Sequence, residues 1–328
     1  MSRLTRTITP DEVTTYRING VALLRGVLDL STINELRRSI DEAVATLTAS
    51  QAGYNVSLLT RAFLADDAKT LAAHDGGQHP VSQLAAYIKA SGKQPILDPA
   101  AASGEGNFYL DTGLAARQRS FERFVKSAPG EIAGALLGSE TVRFYDDQLF
   151  VKEPRTQECT AFHQDATYFD IDGDQCCVLW IPVDPVTAEN GAMQYVRGSH
   201  LDGRLYRPNV FLSQTELPGA EGEPLPDIEG NRDQYDIVSF DVEPGDIVVH
   251  HYRTLHGAGG NASRYQVRRA VSLRYCGDDI RVVDRPWIPS RPHRKQKLTE
   301  GSPLVGPDFP IVWRRPICPA ISATQISA

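Results

Sequence analysis

The sequence predicts a mainly β protein with flanking helices, in which a sandwich or jelly roll follows a helical part. From residue 139 onward, short apolar strands alternate with turns rich in glycine and proline, a pattern typical of such folds. Before that point, two segments carry apolar residues at helical spacing. The chain has 328 residues, 41% of them hydrophobic, which suits one large β domain with its own core.

Local signals mark where the first helices begin. Thr9-Pro10-Asp11-Glu12 offers a capping residue, a proline in the first turn and two acids beside the positive end of the helix dipole. A second helix is expected to be capped by Leu30-Ser31-Thr32, and apolar residues three and four apart continue its buried stripe to Leu47. Further helices are expected at 58–73, 81–91 and 111–138, and a short strand at 21–24.

The hydrophobic period changes from 3.6 to 2 at Ser139, which marks the start of the strands. The continuous apolar run from Gln175 to Pro182 predicts a buried strand that ends at the proline. The stretch 201–234 is rich in proline, glycine and glutamate and predicts a long loop. Other strands are expected around 142–144, 148–151, 192–196, 235–242, 247–250 and 267–275.

One domain is expected to span residues 1–328. Long irregular segments inside compact domains often serve as lids or substrate loops. The expected parts are a helical N-terminal part (1–138) containing a lid-like segment (49–110), a jelly-roll core (139–285) and a C-terminal tail (286–328) anchored by Trp313.

Composition excludes several classes of protein. The net charge is −7 and the pI about 5.6, so no basic field favours nucleic acid as a partner. No apolar run approaches the roughly 18 residues of a membrane span, and the N-terminus lacks the apolar core of a signal peptide. Five cysteines without metal-finger spacing favour reduced thiols and a cytoplasmic location.

The stretch Phe162-His163-Gln164-Asp165 carries the strongest chemical signal. Side chains two apart on an extended strand point to the same face, so His163 and Asp165 project together. A third ligand would come from His256, 93 residues further along. Two histidines and one carboxylate occupy three adjacent corners of an octahedral ion and leave three corners open, as in non-haem Fe(II) oxygenases.

Other histidines compete for the third position. His250 and His251 are rivals of His256, but His250 closes a predicted strand, where a core or edge role is expected. His200 ends a Gly-Ser-His turn and is interpreted as structural. His74 and His79 fall in the irregular segment and are interpreted as exposed loop residues.

Seven motifs in order give residues 140–285 a resemblance to the phytanoyl-CoA dioxygenase family of Fe(II)- and 2-oxoglutarate-dependent oxygenases. The resemblance implies a double-stranded β-helix in which His163, Asp165 and His256 hold Fe(II), leaving two sites for 2-oxoglutarate and one for O2. The motifs are His163-Gln-Asp165, Leu179-Trp-Ile-Pro-Val-Asp184, Glu189-Asn-Gly-Ala192, Val196-Arg-Gly-Ser-His200, Pro244-Gly-Asp246, His256-Gly-Ala-Gly-Gly-Asn261 and Arg268-Arg-Ala270.

The resemblance also implies residues that bind the cosubstrate. The buried distal carboxylate of 2-oxoglutarate needs a cation as a partner, and a guanidinium can donate two parallel hydrogen bonds to it. Arg268 is the expected residue. If the register of the strand differs by one residue, Arg269 takes this role instead, because neighbouring residues face opposite sides of a strand. Trp180 resembles a tryptophan that lines the cosubstrate pocket, and Gln148 a residue that reaches the cosubstrate. Weaker candidates for the site are Thr160, Tyr168 and Asn261.

The implied reaction couples decarboxylation of 2-oxoglutarate, giving succinate and CO2, to oxidation of a C–H bond in a small molecule. Because related halogenases lack the carboxylate ligand, Asp165 disfavours halogenation and favours hydroxylation, desaturation or ring formation. The segments 49–110 and 201–234 are expected to shape the substrate pocket. Their cations could meet an anionic substrate, although scattered surface charges are the simpler interpretation: Arg61, Lys69, Lys89, Lys93, Arg204 and Arg207.

Two other classes of protein stay open at this point. One is a jelly-roll protein that binds a small molecule and whose metal site is degenerate or filled by zinc. The other is a cupin-type metalloenzyme, an isomerase or hydrolase, that does not use 2-oxoglutarate. The arginine distinguishes the 2-oxoglutarate-dependent oxygenase from both of these classes, because only a 2-oxo acid cosubstrate needs a buried cation at that depth.

Overall fold

Three antiparallel β-sheets are found in the computed structural model, which describes residues 4–47, 53–65, 80–101, 104–288 and 291–316, and the two larger sheets face each other. Lys69, His74 and His79 lie outside the described residues, so the hypotheses about them are not tested.

Fourteen strands and seven helices are found in the described ranges. The strands are β1 (Val21–Leu24), β2 (Tyr54–Asn55), β3 (Phe108–Thr112), β4 (Thr141–Lys152), β5 (Thr160–His163), β6 (Ile171–Asp172), β7 (Cys176–Pro182), β8 (Met193–Val196), β9 (Ile237–Ser239), β10 (Ile247–His251), β11 (His256–Ala258), β12 (Arg268–Cys276), β13 (Arg281–Val282) and β14 (Ile311–Arg314). The helices are α1 (Pro10–Asn19), α2 (Leu30–Ala45), α3 (Val56–Ala65), α4 (Pro80–Ala90), α5 (Leu114–Arg117), α6 (Arg119–Val125) and α7 (Ala128–Leu137).

The main sheet has the order β1-β10-β7-β12-β4-β3-β2, and β14 pairs with the first three residues of β4. The smaller sheet has the order β5-β11-β8-β9. Neither sheet closes on itself, and together they form the jelly-roll core that the sequence predicts. Among the described helices, none is both long and apolar enough to cross a membrane.

Side-chain alternation gives the main sheet two different faces. On β12, Val271, Leu273 and Tyr275 pack into the hydrophobic core beneath the helices. The alternate residues of β12 are buried on the opposite face, toward the smaller sheet: Arg268, Ala270, Ser272 and Arg274. The main sheet therefore separates an apolar core from a polar interior.

Capping explains where the first helices begin. Thr9 and Glu12 form a capping box: the Thr9 hydroxyl accepts from the Glu12 backbone N–H at 3.2 Å, and the Glu12 carboxylate accepts from the Thr9 N–H at 2.8 Å. The cap of α2 is Asp29, which accepts from the Thr32 N–H at 2.7 Å, and not the expected Leu30-Ser31-Thr32. Asp29 has the extended backbone of a capping residue, from which its side-chain oxygen reaches an N–H of the first turn.

Three expectations about the elements need correction. The helix expected over 111–138 is three short helices: β3 extends to Thr112, which delays the start, and the backbone leaves helical geometry again at Gln118 and Ser127. The strand expected over 235–242 is only Ile237–Ser239, because its partner β8 has four residues. The strands expected at 142–144 and 148–151 are one continuous strand, β4.

The C-terminal segment, residues 285–316, is attached to the fold at several places, including the turn after Asp165 and the strand β4. Three of its side chains donate to the backbone that follows Asp165: Arg285 to the Ala166 carbonyl, Trp287 to that of Thr167 and Arg291 to that of Tyr168. Further along, β14 pairs with β4 and places Trp313 against α7. A Cβ atom added to Gly134 of α7 would lie 2.3 Å from the Trp313 ring.

We predict that Gly134→Ala destabilises the protein, although alanine is the better helix former by about 1 kcal/mol. The added methyl group overlaps the Trp313 ring, and overpacking of this kind costs about 1–3 kcal/mol. Urea unfolding should therefore show a lower free energy of unfolding. In a Trp313→Ala background the same substitution should become neutral or stabilising; an unchanged loss there would show that the ring is not the cause.

Candidate active site

The two predicted histidine ligands lie on neighbouring strands of the smaller sheet. His163 ends β5 and His256 begins β11, and the two residues are directly paired in the ladder. Their rings lie 4.2 Å apart, centroid to centroid. Pairing of the strands therefore brings together two residues that are 93 positions apart in the sequence.

Asp165 lies just beyond the end of β5, not within the strand as the motif suggests. Gln164 keeps an extended backbone, with φ −105° and ψ 139°, before Asp165 starts a 3₁₀ turn. Because this intervening residue is extended, the two side chains still project to the same side. The Asp165 Oδ1 atom lies 3.7 Å from His163 Nε2 and 4.0 Å from His256 Nε2.

The three side chains suit a metal ion in geometry and in hydrogen bonding. One ligand atom from each of His163, Asp165 and His256 lies within 4.8 Å of the others, and all three residues are buried. The Nδ1 atom of His163 bonds the Ala161 carbonyl at 2.8 Å, and that of His256 bonds the Thr254 carbonyl at 2.9 Å. Since a carbonyl only accepts, each Nδ1 carries the proton and each Nε2 keeps its lone pair.

Electrostatics favour a neutral His256 and an ionised Asp165. Burial lowers the pKa of His256 well below its usual value, and the neighbouring His163 and His250 lower it further, so the ring is neutral. Burial alone would raise the pKa of Asp165, but the imidazoles that surround it and the charge of Arg274 hold it well below its usual range. Neutral imidazoles and an ionised carboxylate are the forms that bind a divalent cation.

A third histidine, which sequence reasoning assigned to the core or an edge, lies against this triad. The His250 Nε2 atom is 3.6 Å from Asp165 Oδ2, and its ring is 4.5 Å from that of His256. It reaches inward from the main sheet, where it is paired with Val178 of β7. Its neighbour His251 points the other way, to the Asp174 carbonyl at 2.9 Å. The even spacing from Val248 to His250 was the signal for an inward face.

Two buried cations lie side by side further along the same face. Arg268 is 1% exposed and Lys152 is 0% exposed, and they are directly paired across β12 and β4. Arg268 donates to the Gly191 carbonyl at 3.0 Å, whereas its Nε and Nη1 have no partner among the described residues. Lys152 donates to the carbonyls of Glu158 and Gly259, at 2.8 and 2.6 Å. Sequence reasoning missed Lys152, although it shares a strand face with Gln148.

Burial makes both cations sensitive to their surroundings. Burial lowers the pKa of Arg268 to about 10. Burial and the charge of Arg268 lower the pKa of Lys152 to about 7, against a partial opposing effect of the acids Glu158 and Asp98. Within the described residues, no ion pair reaches either cation, so an incoming anion would be strongly favoured here.

The structure distinguishes Arg268 from its neighbour Arg269. Arg269 faces outward, and its guanidinium pairs with Asp184 at 2.7 Å and with Asp41 at 2.5 Å. Arg268 faces inward, with its guanidinium carbon 5.6 Å from the Trp180 ring. Trp180 therefore lies beside the expected anchor, in a cation–π arrangement that orients it. The role of both residues in binding the cosubstrate stays a prediction.

Gln148 lies in the same interior, four residues before Lys152 on the same face of β4. It pairs across the strands with Ser272, which is also paired with Trp180. Its Oε1 accepts from Arg274 Nη2 at 2.6 Å, so this oxygen is already engaged. The role of Gln148 in contacting the cosubstrate stays a prediction.

An aromatic wall, formed by Phe211, Phe150 and Tyr168, covers one side of His163. The Phe211 ring is 4.6 Å from the His163 ring, 6.5 Å from Phe150 and 5.8 Å from Tyr168. Phe211 adopts a left-handed φ of 66°, which costs energy for a residue with a side chain. This strained residue comes from the predicted 201–234 loop, which thus reaches the site.

The weaker candidates have structural partners. The Tyr168 hydroxyl donates to the Asn209 carbonyl at 2.8 Å, and Asn261 donates to the carbonyls of Lys152 and Gln266. Thr160 is buried at the far end of β5. His200 contacts the Arg17 carbonyl at 3.1 Å, in keeping with a structural role.

The cations of the expected substrate segments are largely engaged with other groups. Arg207 pairs with Glu216 at 3.2 Å, and Arg204 with Glu223 at 3.7 Å. Arg61 donates to Asn107 and Lys93 to the Gln214 carbonyl. These contacts agree with the simpler interpretation, in which these cations are scattered surface charges.

Fold and site together define a jelly-roll protein of the mononuclear non-haem iron type. The sequence profile of the family described as Phytanoyl-CoA dioxygenase (PhyH) matches residues 16–270, well over half of the chain. The chain belongs to the phytanoyl-CoA dioxygenase family. The family is one of iron- and 2-oxoglutarate-dependent dioxygenases, in agreement with the enzyme class, the iron and the 2-oxoglutarate expected from the sequence.

Curated relatives match over part of their length. A probable phytanoyl-CoA dioxygenase of Caenorhabditis elegans is 32% identical over 123 residues, which are 36% of this chain and 36% of that protein. A probable alpha-ketoglutarate-dependent hypophosphite dioxygenase of Stutzerimonas stutzeri is 28% identical over 144 residues, 43% of this chain and 47% of that protein. Each match therefore spans less than half of the relative.

Solved structures extend the likeness over nearly the whole chain. SnoK, a non-haem alpha-ketoglutarate-dependent carbocyclase from nogalamycin biosynthesis, is 20% identical with a TM-score of 0.61, covering 95% of this chain and 100% of its own. The epimerase SnoN, solved with Fe3+, alpha-ketoglutarate and nogalamycin RO, is 21% identical with a TM-score of 0.58, covering 92% and 98%. At such identities the likeness shows a shared fold.

We predict that Arg268→Ala weakens 2-oxoglutarate binding by about 100-fold, because a carboxylate loses a charge-assisted bidentate partner. Titration of the metal-loaded protein with 2-oxoglutarate measures the dissociation constant. Arg269→Ala, the matched control, should lower stability through loss of the Asp184 pair and leave this constant unchanged. The reverse result would mean that Arg269 is the anchor.

Affinity for 2-oxoglutarate should also depend on pH through Lys152. Its pKa of about 7 means that the ammonium is charged below this pH and neutral above it. The dissociation constant should therefore rise between about pH 6 and pH 8, as the second cation is lost. Lys152→Met should bind more weakly at pH 6 and show a flatter profile; an equally steep profile would assign the pH dependence to another group.

Proposed function

We propose that this protein is an Fe(II)- and 2-oxoglutarate-dependent dioxygenase that oxidises a C–H bond of a small molecule, releasing succinate and CO2. The observation that carries the proposal is the triad itself. His163 and His256 present proton-free Nε2 atoms toward a buried carboxylate, Asp165. Two buried cations, Arg268 and Lys152, lie on the same interior face and form no ion pair within the described residues.

Each group in the interior has a separate task in this reaction. His163, Asp165 and His256 would hold the iron, which supplies the activation of O2 when bound. Arg268 and Lys152 would bind the distal carboxylate of 2-oxoglutarate and fix its orientation. Trp180 holds the Arg268 guanidinium in place, and the buried walls exclude water from the reacting groups.

Asp165 also bears on the type of reaction. A carboxylate ligand fills the position that a halide would need, so hydroxylation, desaturation or ring formation is favoured over halogenation. The structural relatives of similar fold include a carbocyclase and an epimerase of nogalamycin biosynthesis. The activities of these two relatives agree with oxidation chemistry on a secondary-metabolite intermediate, with acyl and amino-acid derivatives as the other substrate classes.

The aromatic wall favours a substrate with an apolar carbon skeleton. Phe150 and Phe211 are only partly buried although they lie beside the interior, so their rings are accessible to a ligand. Aromatic faces of this kind bind rings and hydrocarbon chains through dispersion and the hydrophobic effect. The substrate carbon to be oxidised would lie against Phe211, close to His163.

The first test needs no substrate. Metal-free protein under nitrogen receives Fe(II), then 2-oxoglutarate, and the visible spectrum is recorded. A weak charge-transfer band that requires both additions is expected, because a 2-oxo acid chelates iron through two oxygen atoms. Asp165→Ala is the control that should lose metal affinity, and Asp174→Ala, an exposed acid, should behave like the wild type.

Other outcomes lead to the two remaining classes. Iron binding without the band would contradict the dioxygenase proposal and favour a cupin-type metalloenzyme that does not use 2-oxoglutarate. Failure to bind iron, or tight binding of zinc alone, would favour a jelly-roll protein that binds a small molecule. With the band present, succinate release against a panel of small molecules identifies the substrate.

A further inference from the structure

The two oxygens of the Asp165 carboxylate face different partners. Oδ1 is the oxygen near both expected ligands, 3.7 Å from His163 Nε2 and 4.0 Å from His256 Nε2. Oδ2 faces His250, whose Nε2 lies 3.6 Å away. The carboxylate is thus divided between a metal position and a third imidazole.

His250 has no other polar partner in the described part of the chain. It is 1% exposed, and neither Nδ1 nor Nε2 forms a hydrogen bond. Its surroundings are the rings of Tyr195 and His256, with centroids 5.2 and 4.5 Å away. A buried imidazole without a partner is unfavourable, so Asp165 is the group that explains its presence there.

The position of His250 also separates it from the expected ligands. His163 and His256 belong to the smaller sheet, whereas His250 reaches across from β10 of the main sheet. Both expected ligands donate their Nδ1–H to a backbone carbonyl, an orientation that metal-binding imidazoles commonly have. His250 lacks such a bond, and it does not join the compact cluster of ligand atoms.

We propose that His250 is a positioning residue for the metal site: its Nε2–H donates to Oδ2 of Asp165 and thereby directs Oδ1 alone to the metal. The present separation is about half an ångström beyond a normal hydrogen bond, so a small rotation of either side chain completes the bond. This inference rests on the proposed function, because it assigns Asp165 to the metal.

The consequence of this bond is an open coordination sphere. A carboxylate held through one oxygen binds the metal in monodentate fashion and leaves three positions for 2-oxoglutarate and O2. Without His250, Oδ2 would be free to turn toward the metal and occupy one of these positions. Partners of metal ligands typically contribute about 10- to 100-fold to metal affinity.

The test uses the full chain and Co(II), which is stable in air and reports its coordination through its visible spectrum. His250→Phe keeps the ring and removes the donor. We expect a Co(II) dissociation constant about 10- to 100-fold higher and a changed visible spectrum. His250→Gln restores an N–H at a similar reach, and both readouts should return close to the wild type.

His251→Phe is the matched control, because this buried neighbour on β10 bonds the Asp174 carbonyl on the other face. It should keep the wild-type Co(II) constant and spectrum. If His250→Phe does not fold, as judged by circular dichroism, His250→Asn replaces it, because the shorter amide does not reach Oδ2. Wild-type affinity and spectrum in both His250→Asn and His250→Phe would overturn the proposal.

A direct count of ligands supplies the other decisive result. Pulsed electron paramagnetic resonance of the Cu(II)-loaded wild type should detect two imidazoles; three would make His250 a ligand and overturn the positioning role. If the metal binds through two imidazoles but Fe(II) and 2-oxoglutarate give no charge-transfer band, the dioxygenase proposal is contradicted and the role of His250 is retained. A wild type that binds neither Co(II) nor Fe(II) would reject both.

Discussion

The buried carboxylate of Asp165 is the group around which the site is built. An ionised carboxylate away from water is unfavourable unless other groups compensate its charge. Here histidines from both sheets surround it, and the turn that carries it is held by the C-terminal segment, with Arg285 donating to the carbonyls of Ala166 and Ile171 at 3.1 and 2.8 Å. Sheet packing, turn and tail therefore all contribute to the position of one side chain.

The register of β12 is the second constraint, because it decides which arginine faces the interior. A shift by one residue would exchange Arg268 for Arg269 and place Val271 and Leu273 in the polar interior. The ion pairs of Arg269 with Asp184 and Asp41 oppose such a shift from the outside. The apolar core beneath the helices opposes it from within the protein. Stability and function thus depend on the same alternation.

The sequence predicted the jelly roll and the residues of the triad, because strand alternation and motif order are local properties of the chain. It did not predict that His250 meets Asp165, since that contact joins two sheets and depends on how they pack. Lys152 was missed for a related reason: its partner Arg268 is 116 positions away. The strain at Phe211 also has no local signal, because an unfavourable φ persists only where the surrounding structure imposes it.

The two buried cations, Arg268 and Lys152, suit an anionic cosubstrate. Among the described residues, Nε and Nη1 of Arg268 have no partner, and the pKa of Lys152 is lowered by burial, so the interior without an anion stores unfavourable electrostatic energy. A dianion such as 2-oxoglutarate would relieve it, and any ligand that binds only the folded state adds to stability. The same groups that cost stability in the free protein would therefore supply affinity and orientation in the complex. The metal triad differs from these cations, because hydrogen bonds to backbone carbonyls already orient its two histidines in the absence of an ion.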